Sequence, residues 1–380
     1  MNFVSTSPFL QSVAASLVLA PQRRQAFSRP NQAVFSQQQP IKTNRAVKTN
    51  KMTEDRRHIP VLRTEALGVL NVHSGGLYLD ATFGAGGYSR EILKTDNSRV
   101  IGFDRDPNAI RDAQAMVRDF APRLTLVQSP FSAFESYLDE KLDGIVMDIG
   151  VSSMQIDESE RGFSFRFDGP LDMRMSQSGP TAADIVNSAD EERLANILFY
   201  YGDERASRRI AKAIVMDRAK TPFTSTLQLA SLLGRLLPSK PTEINPATRT
   251  FQALRIAVND ELGELYRALE AAERALKEGG VLSVVTFHSL EDRIVKQFFA
   301  SRTGKGQAIS RYLPHEIAPP VATFKFEAKQ PVLPSAQETS DNPRARSAKL
   351  RFATRLAAPA RPADPNLAKL AGLPEPVRRR

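Results

Sequence analysis

The sequence predicts a doubly wound α/β sheet interrupted by a helical block, and three observations carry that prediction. Short apolar runs alternate with helical patterns between residues 77 and 148. A glycine cluster, Gly84-Ala85-Gly86-Gly87, follows the first of those runs. The alternation then gives way to purely helical patterns over residues 164–253 and resumes afterwards.

Residues 77–83 read as a strand that enters the glycine turn. Buried-strand patterns recur at 99–104, 124–127 and 144–148, each separated by enough chain for a crossover. The helix after the second strand opens at Asp106-Pro107-Asn108 and carries Ile110, Ala113, Met116 and Val117 at helical spacing. Such a βαβ series implies a parallel sheet. Helical patterns fill 191–200, 206–218 and 226–236. An amphipathic helix is expected over 259–276, a stop at Gly279-Gly280, a strand at 281–287 and a last strand at 349–355. The expected organisation is a core of residues 52–163 and 254–356, an inserted helical substrate-binding domain at 164–253, and disordered segments at 1–51 and 357–380.

The 380 residues hold 52 Lys and Arg against 42 Asp and Glu, a net charge of +10 that suits a polyanionic partner. Residues 1–51 contribute seven basic side chains and no acidic one, so much of the excess lies outside the expected fold. The first 22 residues lack the charged start of a secretory signal. Two readings of 1–51 stay open: an organellar transit peptide, or an extension ahead of a start at Met52-Thr53-Glu54 that leaves the protein cytoplasmic. No apolar run is long enough to predict a membrane span, and the spacing shows no metal-ligand cluster. With no cysteine, disulfides, thiolate metal sites and cysteine nucleophiles are excluded.

A glycine turn after a first parallel strand lets backbone approach a ligand, and a carboxylate ending the second strand accepts ribose hydroxyls. Gly86 and Asp104 are 18 residues apart, as that geometry needs. Ser89 stands where a dinucleotide site has its third glycine, which disfavours an NAD-linked oxidoreductase. An adenosine ligand without phosphates, S-adenosylmethionine, fits better, with Asp80 and the turn holding its amino acid end and Phe131 at the sheet edge near the adenine. Asp80, Asp104 and Asp148 end three successive strands, and buried carboxylates there need partners.

Further motifs follow: Asp148-Ile149-Gly150-Val151-Ser152-Ser153-Met154-Gln155, Arg161-Gly162-Phe163-Ser164-Phe165, Asp168-Gly169-Pro170-Leu171-Asp172-Met173-Arg174-Met175, residues 245–255 from Asn245 to Arg255, Thr286-Phe287-His288-Ser289-Leu290-Glu291-Asp292-Arg293, and residues 342–349 from Asn342 to Lys349. Together with residues 80–89, these resemble the bacterial 16S rRNA cytosine-N4 methyltransferase family over residues 58–355. The resemblance implies a Rossmann-like methyltransferase core that transfers a methyl group from S-adenosyl-L-methionine to the N4 amine of a cytosine in the decoding region of 16S rRNA, within the small ribosomal subunit. It places cofactor contacts on Gly86, Gly87, Tyr88, Asp104, Phe131, Asp148 and Gln155. Many members carry His where this chain has Tyr88, so only a backbone contact carries over there.

Two further points come from the residues themselves. Methylating a pyrimidine C5 usually needs a cysteine adduct, which leaves an amine or oxygen as target. Asp148 is a candidate acceptor for an amine hydrogen, in competition with its cofactor role; His288 is either a proton acceptor or a residue that fixes its turn. Arg249, Arg255, Arg293, Arg344 and Arg346 suit phosphate contacts. Phe163, Phe165 and Phe167 read either as core of the insertion or as a base-stacking platform. The Asp-Ile-Gly-Val stretch departs from the Pro-Pro-aromatic motif of typical amino-methyltransferases, so no base-stacking residue carries over from them. A non-catalytic RNA-binding or assembly factor on the same scaffold is the alternative, and it predicts eroded cofactor residues.

Overall fold

The computed structural model describes residues 60–237, 245–304 and 320–374. The sequence expectation for residues 1–51 falls outside them, as does the part of the 357–380 segment from residue 375 onward.

A seven-stranded sheet forms from β1 (Leu77–Asp80), β2 (Arg99–Asp104), β3 (Leu124–Gln128), β4 (Leu142–Asp148), β5 (Leu276–Thr286), β6 (Phe324–Lys325) and β7 (Lys349–Arg355), in the order β3-β2-β1-β4-β5-β7-β6. The pairs from β3 to β5 are parallel, while β7 runs antiparallel to both β5 and β6. The order reverses beside β1, and the strand ends Asp80, Asp104 and Asp148 all meet at that reversal. An open α/β sheet binds ligands in such a crevice. The doubly wound α/β class expected from the sequence is the one observed, and β6 is the strand its two-residue length concealed.

The helices in chain order are α1 (Arg63–Leu70), α2 (Gly87–Ile92), α3 (Pro107–Asp112), α4 (Gln114–Asp119), α5 (Ser153–Asp157), α6 (Ala182–Ser188), α7 (Glu191–Gly202), α8 (Ser207–Arg218), α9 (Thr226–Leu236), α10 (Ala247–Asn259), α11 (Glu261–Ala275), α12 (Ser289–Arg302), α13 (Ala336–Asp341) and α14 (Pro365–Ala371). Local chemistry sets many of their starts. Thr181 and Ser152 make reciprocal capping boxes with Asp184 and Gln155, and Asp190, Ser225 and Asp106 cap α7, α9 and α3.

Three boundaries differ from the sequence expectation. The junction at 253/254 lies inside α10, whose buried Phe251, Leu254 and Ile256 join one continuous apolar core with α6 to α9 and with Leu79, Ile145 and Met147 of the sheet. A helical period is unbroken there, so no local signal marked where insertion ends and core begins. Gly279-Gly280 does not precede β5 but lies within it, where the pairing with β4 shifts register between Leu142 and Gly144. The segment after Ala357 is not all tail: α14 buries Leu367 and Ala371 in the same core. Its approach is held by buried polar groups, because Arg302 pairs with Glu273 (2.7 Å) and Glu270 (3.0 Å) and donates to the Pro362 carbonyl. The amides of Arg361 and Asp364 donate to those same two glutamates.

Because Leu367 is 1% exposed, Leu367→Ala is expected to cost about 2 to 4 kcal/mol of unfolding free energy, measured by urea denaturation. A cost near zero would show that the helix does not dock.

Candidate active site

A cleft of about 1310 Å³ opens at the carboxyl ends of β1, β2 and β4. Its floor begins with the turn after β1. Gly86 sits at φ 77°, and a Cβ there would lie 2.6 Å from the Phe83 ring and 2.8 Å from the Met116 sulfur, so the turn closes only around glycine. Gly84, Gly87 and Tyr88 face the cleft, and Gly86 is buried behind them.

Asp80 does not reach the cleft. It is fully buried, and Oδ2 accepts the Ser89 amide (3.2 Å) and the Ser89 hydroxyl (2.7 Å). Burial pushes its carboxyl up to about 6. The sequence expectation that Asp80 holds a ligand's amino acid end is therefore corrected: it holds the glycine turn, and Ser89, the residue that replaces a third glycine, is its partner.

Asp104 faces the cleft half-buried, with Oδ2 accepting the Gly84 amide (2.8 Å) and Oδ1 the Asp106 amide (2.8 Å). Burial raises its carboxyl above the ordinary range, against the two amides. Asp148 also opens on the cleft, its amide donating to Thr82 Oγ1 (2.8 Å). Although its side chain keeps some exposure, it stands at the floor of a deep cleft, and desolvation raises it to about 8, with Asp80 and Glu291 adding repulsion. The Tyr88 phenol, 2% exposed, lies against Asp148 and donates its proton to the Val61 carbonyl (2.7 Å). Phe131 lines the cleft where the 3-10 turn after β3 begins.

Gln155 lines the cleft too, but its side chain is largely committed. Oε1 accepts the Ser152 amide, and Nε2 donates to Asp106 Oδ2 (2.9 Å). Asp106 is the residue the sequence reading missed, taken there only as a helix start. It is 4% exposed and gathers Asn108 N, Gln155 Nε2, Gln177 Nε2 and Arg161 Nη1, the last at 2.7 Å. Arg161 also donates to the carbonyls of Arg174 and Met175, so one guanidinium joins the cleft wall to the entry of the helical block. The Asp-Pro signature was legible, but the convergence of residues 55 and 71 positions downstream was not.

His288 lies outside the cleft lining, which its neighbour Phe287 joins. It caps α12: Nδ1 accepts the Glu291 amide (3.5 Å), and Nε2 sits 3.0 Å from Glu291 Oε1 without hydrogen-bond alignment. Burial alone would raise the Glu291 carboxyl, but His288, the Phe287 amide and Arg255 outweigh it and hold it low. Of the two roles the sequence left open for His288, the geometry supports fixing the turn.

Glu261, His288 and Glu291 bring three donor atoms within 4.8 Å of one another, a cluster that sequence spacing did not show. Arg255, however, forks both Glu261 oxygens at 2.8 Å, so a guanidinium already neutralises that carboxylate. The same contact corrects the expectation of a phosphate role for Arg255, whose half-buried guanidinium is spent on this pair. Arg344 lines the cleft mouth and pairs with Asp157 (2.7 Å). Arg249 is exposed and donates to the Asp203 carbonyl. Arg293 and Arg346 are exposed with no side-chain partner among the described residues. The three phenylalanines divide: Phe163 and Phe165 pack against the core, Phe165 edge-to-face with Phe251 at 4.9 Å, while Phe167 is 72% exposed.

With this geometry in place, the comparisons with known proteins decide the family. The model of the MraW methylase family matches residues 55–356. The chain belongs to the MraW methylase family. Two relatives named ribosomal RNA small subunit methyltransferase H agree: one from Methylocella silvestris is 61% identical over 84% of this chain and 93% of its own length, and one from Beijerinckia indica is 61% identical over 84% and 91%. A solved rRNA methylase from Streptococcus thermophilus overlaps at 10% identity with a TM-score of 0.34, covering 77% of this chain and 93% of its own, too loose a likeness to add to that assignment.

S-adenosylmethionine is the cofactor of this MraW-family chain, and the residues present fit it. Asp104 lines the cleft with one amide on each of its oxygens, which leaves acceptor capacity on both. Three carboxyls raised by burial, two of them facing the cleft, favour a ligand that carries positive charge.

The raised Asp148 makes a stability prediction. Between pH about 4 and 8 the unfolded carboxyl is ionised while the folded one holds its proton, so the folded state loses ground as pH rises through that window. Without cofactor, Asp148→Asn is expected to raise the melting temperature, by a margin that widens from pH 5 to pH 8. Calorimetry showing a margin independent of pH would contradict the burial of this carboxyl. Removing Arg161 (Arg161→Met) strands the buried Asp106 carboxylate and is expected to cost about 3 kcal/mol.

Proposed function

We propose that this methyltransferase acts on the exocyclic N4 amine of a cytosine in the decoding region of 16S rRNA. The observation that carries the reading is the pairing, across one cleft, of a ribose-type carboxylate at Asp104 with a second, desolvated carboxyl at Asp148. The relatives' names supply the coarser part, small-subunit rRNA. The absence of cysteine favours an amine over a ring carbon.

Bound S-adenosylmethionine supplies an electrophilic methyl group on a positively charged sulfur. Cytosine N4 is a poor nucleophile because its lone pair is delocalised into the ring. Asp148, once ionised, accepts a hydrogen bond from that amine, orients it and pulls its lone pair out of conjugation. A cation beside Asp148 favours its carboxylate form, so loading the site converts a protonated group into an acceptor. With the donor bound, its methyl would pass to N4, and Asp148 is placed to take the proton that N4 loses. A carboxyl held at about 8 suits that task better than one at the ordinary value. Asp104 and Phe131 hold the nucleoside part of the cofactor, with Gly84 and Gly87 giving backbone access and Asp106 keeping Gln155 in place. An assembly factor without activity has no use for these groups, which are intact.

The reading is tested by transfer of labelled methyl to small ribosomal subunits lacking the modification, followed by nucleoside analysis. N4-methylated cytidine is expected. Asp148→Asn is expected to lower kcat by about 10² or more, and Asp104→Ala to weaken cofactor binding with the RNA term unchanged. Cofactor binding without any methylated nucleoside would favour the non-catalytic alternative. Cofactor affinity is expected to rise with pH toward 8, because ionised Asp148 favours the cation, and this slope should vanish in Asp148→Asn.

A further inference from the structure

The corner between α7 and α8 carries a surface that the methyl-transfer chemistry does not use. Phe199 and Tyr200, at the end of α7, are 50% and 43% exposed, with rings edge-to-face at 5.1 Å. Phe199 lines a shallow groove with Arg205, Arg208 and Arg209. Lys212 follows Arg208 by one helical turn and is exposed on the same side. None of these four cations has a side-chain partner among the described residues. The carboxylates nearest in sequence are engaged: Asp203 Oδ2 accepts from Ser289 Oγ (3.3 Å), and buried Glu204 accepts the Ala206 amide (2.8 Å).

A relay of contacts leads from this corner toward the cleft wall. Arg249 donates to the Asp203 carbonyl, and Gly202 sits so close to Arg249 that a Cβ would lie 2.7 Å from its carbonyl oxygen. Ser289, which holds Asp203, is two residues from Phe287 on the cleft wall.

We propose that the α7–α8 corner is a second RNA site, which grips single-stranded RNA flanking the target base: Arg205, Arg208, Arg209 and Lys212 take phosphates, and Phe199 and Tyr200 stack bases. The proposal rests on the reading that the chain modifies ribosomal RNA and adds to it the place where the flanking strand runs. Unpaired guanidinium groups interleaved with exposed aromatics match phosphates and base faces. A base presented to the cleft has to leave its stack, and holding the neighbouring nucleotides offsets part of that cost.

The test uses the full chain, unmodified small subunits and naked 16S rRNA, with Arg208→Gln/Arg209→Gln and Phe199→Ala. For the double variant the RNA KM is expected to rise about tenfold, with kcat and cofactor affinity unchanged. The slope of log affinity against log salt should fall by roughly 1.4 for two lost phosphate contacts, on subunits and naked RNA alike. Phe199→Ala should weaken binding several-fold with the salt slope retained. Unchanged KM and slope, in a preparation whose wild type methylates subunits, would overturn the second site and leave the function standing. A loss confined to subunits would overturn it in favour of a ribosomal protein as the contact. A wild type that binds cofactor and no RNA would overturn the function itself, and this site with it.

Discussion

The site depends on one buried carboxylate in the wall of the cleft. Asp106 caps α3 and draws in Gln155, Arg161 and Gln177, and so ties the segment that follows β4, and the start of the helical block, to the edge of β2. Such a group is costly to bury and is stable only when its partners are complete. That requirement fixes loops whose own backbone offers little: α5 has five residues, and the stretch from Gly162 to Thr181 has almost no regular structure. Asn259 completes the tie. Its side chain bonds Met173 and Met175, and its carbonyl accepts from Arg105, beside Asp104.

Around that frame the strand ends are electrostatically uneven. Asp80 spends its charge on the glycine turn, Asp104 on two amides, and Asp148 is left facing the cleft with a neutral phenol and two acidic neighbours. The outcome is a gradient of proton affinity across three similar residues, set by what each is bonded to rather than by its type. A site that begins short of positive charge is suited to a cationic methyl donor, and the carboxyl with least support is the one best able to accept a proton. Beside them, Arg255 forks Glu261, and Glu291 accepts the Phe287 amide and contacts His288, so this group of side chains fixes the Phe287 turn on the cleft wall.

Much of this was legible in the sequence because its signals are local. Alternating apolar runs, the glycine cluster, the Asp-Pro helix start and carboxylates at strand ends are read from neighbouring residues, and each turned up where the pattern placed it. The helices at 191–202, 207–218 and 226–236 match their periodicity nearly to the residue. What the sequence left open was which partner claims a side chain. Arg255 and His288 carry the right chemistry for RNA or proton transfer, yet Glu261 and Glu291, only six and three positions away, are the groups they meet once the chain between α10 and α12 is packed. α14 was read as tail because its seven residues are stable only against α11 and α12, through Leu367 and the Arg302 ion pairs.

By itself the sequence determined the class of sheet, the turn that lets backbone meet a ligand, the exclusion of cysteine chemistry and the set of carboxylates from which a site is built, since those follow from residue type and spacing. Tertiary structure decided which carboxylate faces the cleft and which is spent on structure, which arginines remain free, and where insertion and core merge. The physical reason is that proton affinity and availability depend on desolvation and on partners brought from far along the chain, and neither is a property of a residue or of its neighbours in sequence.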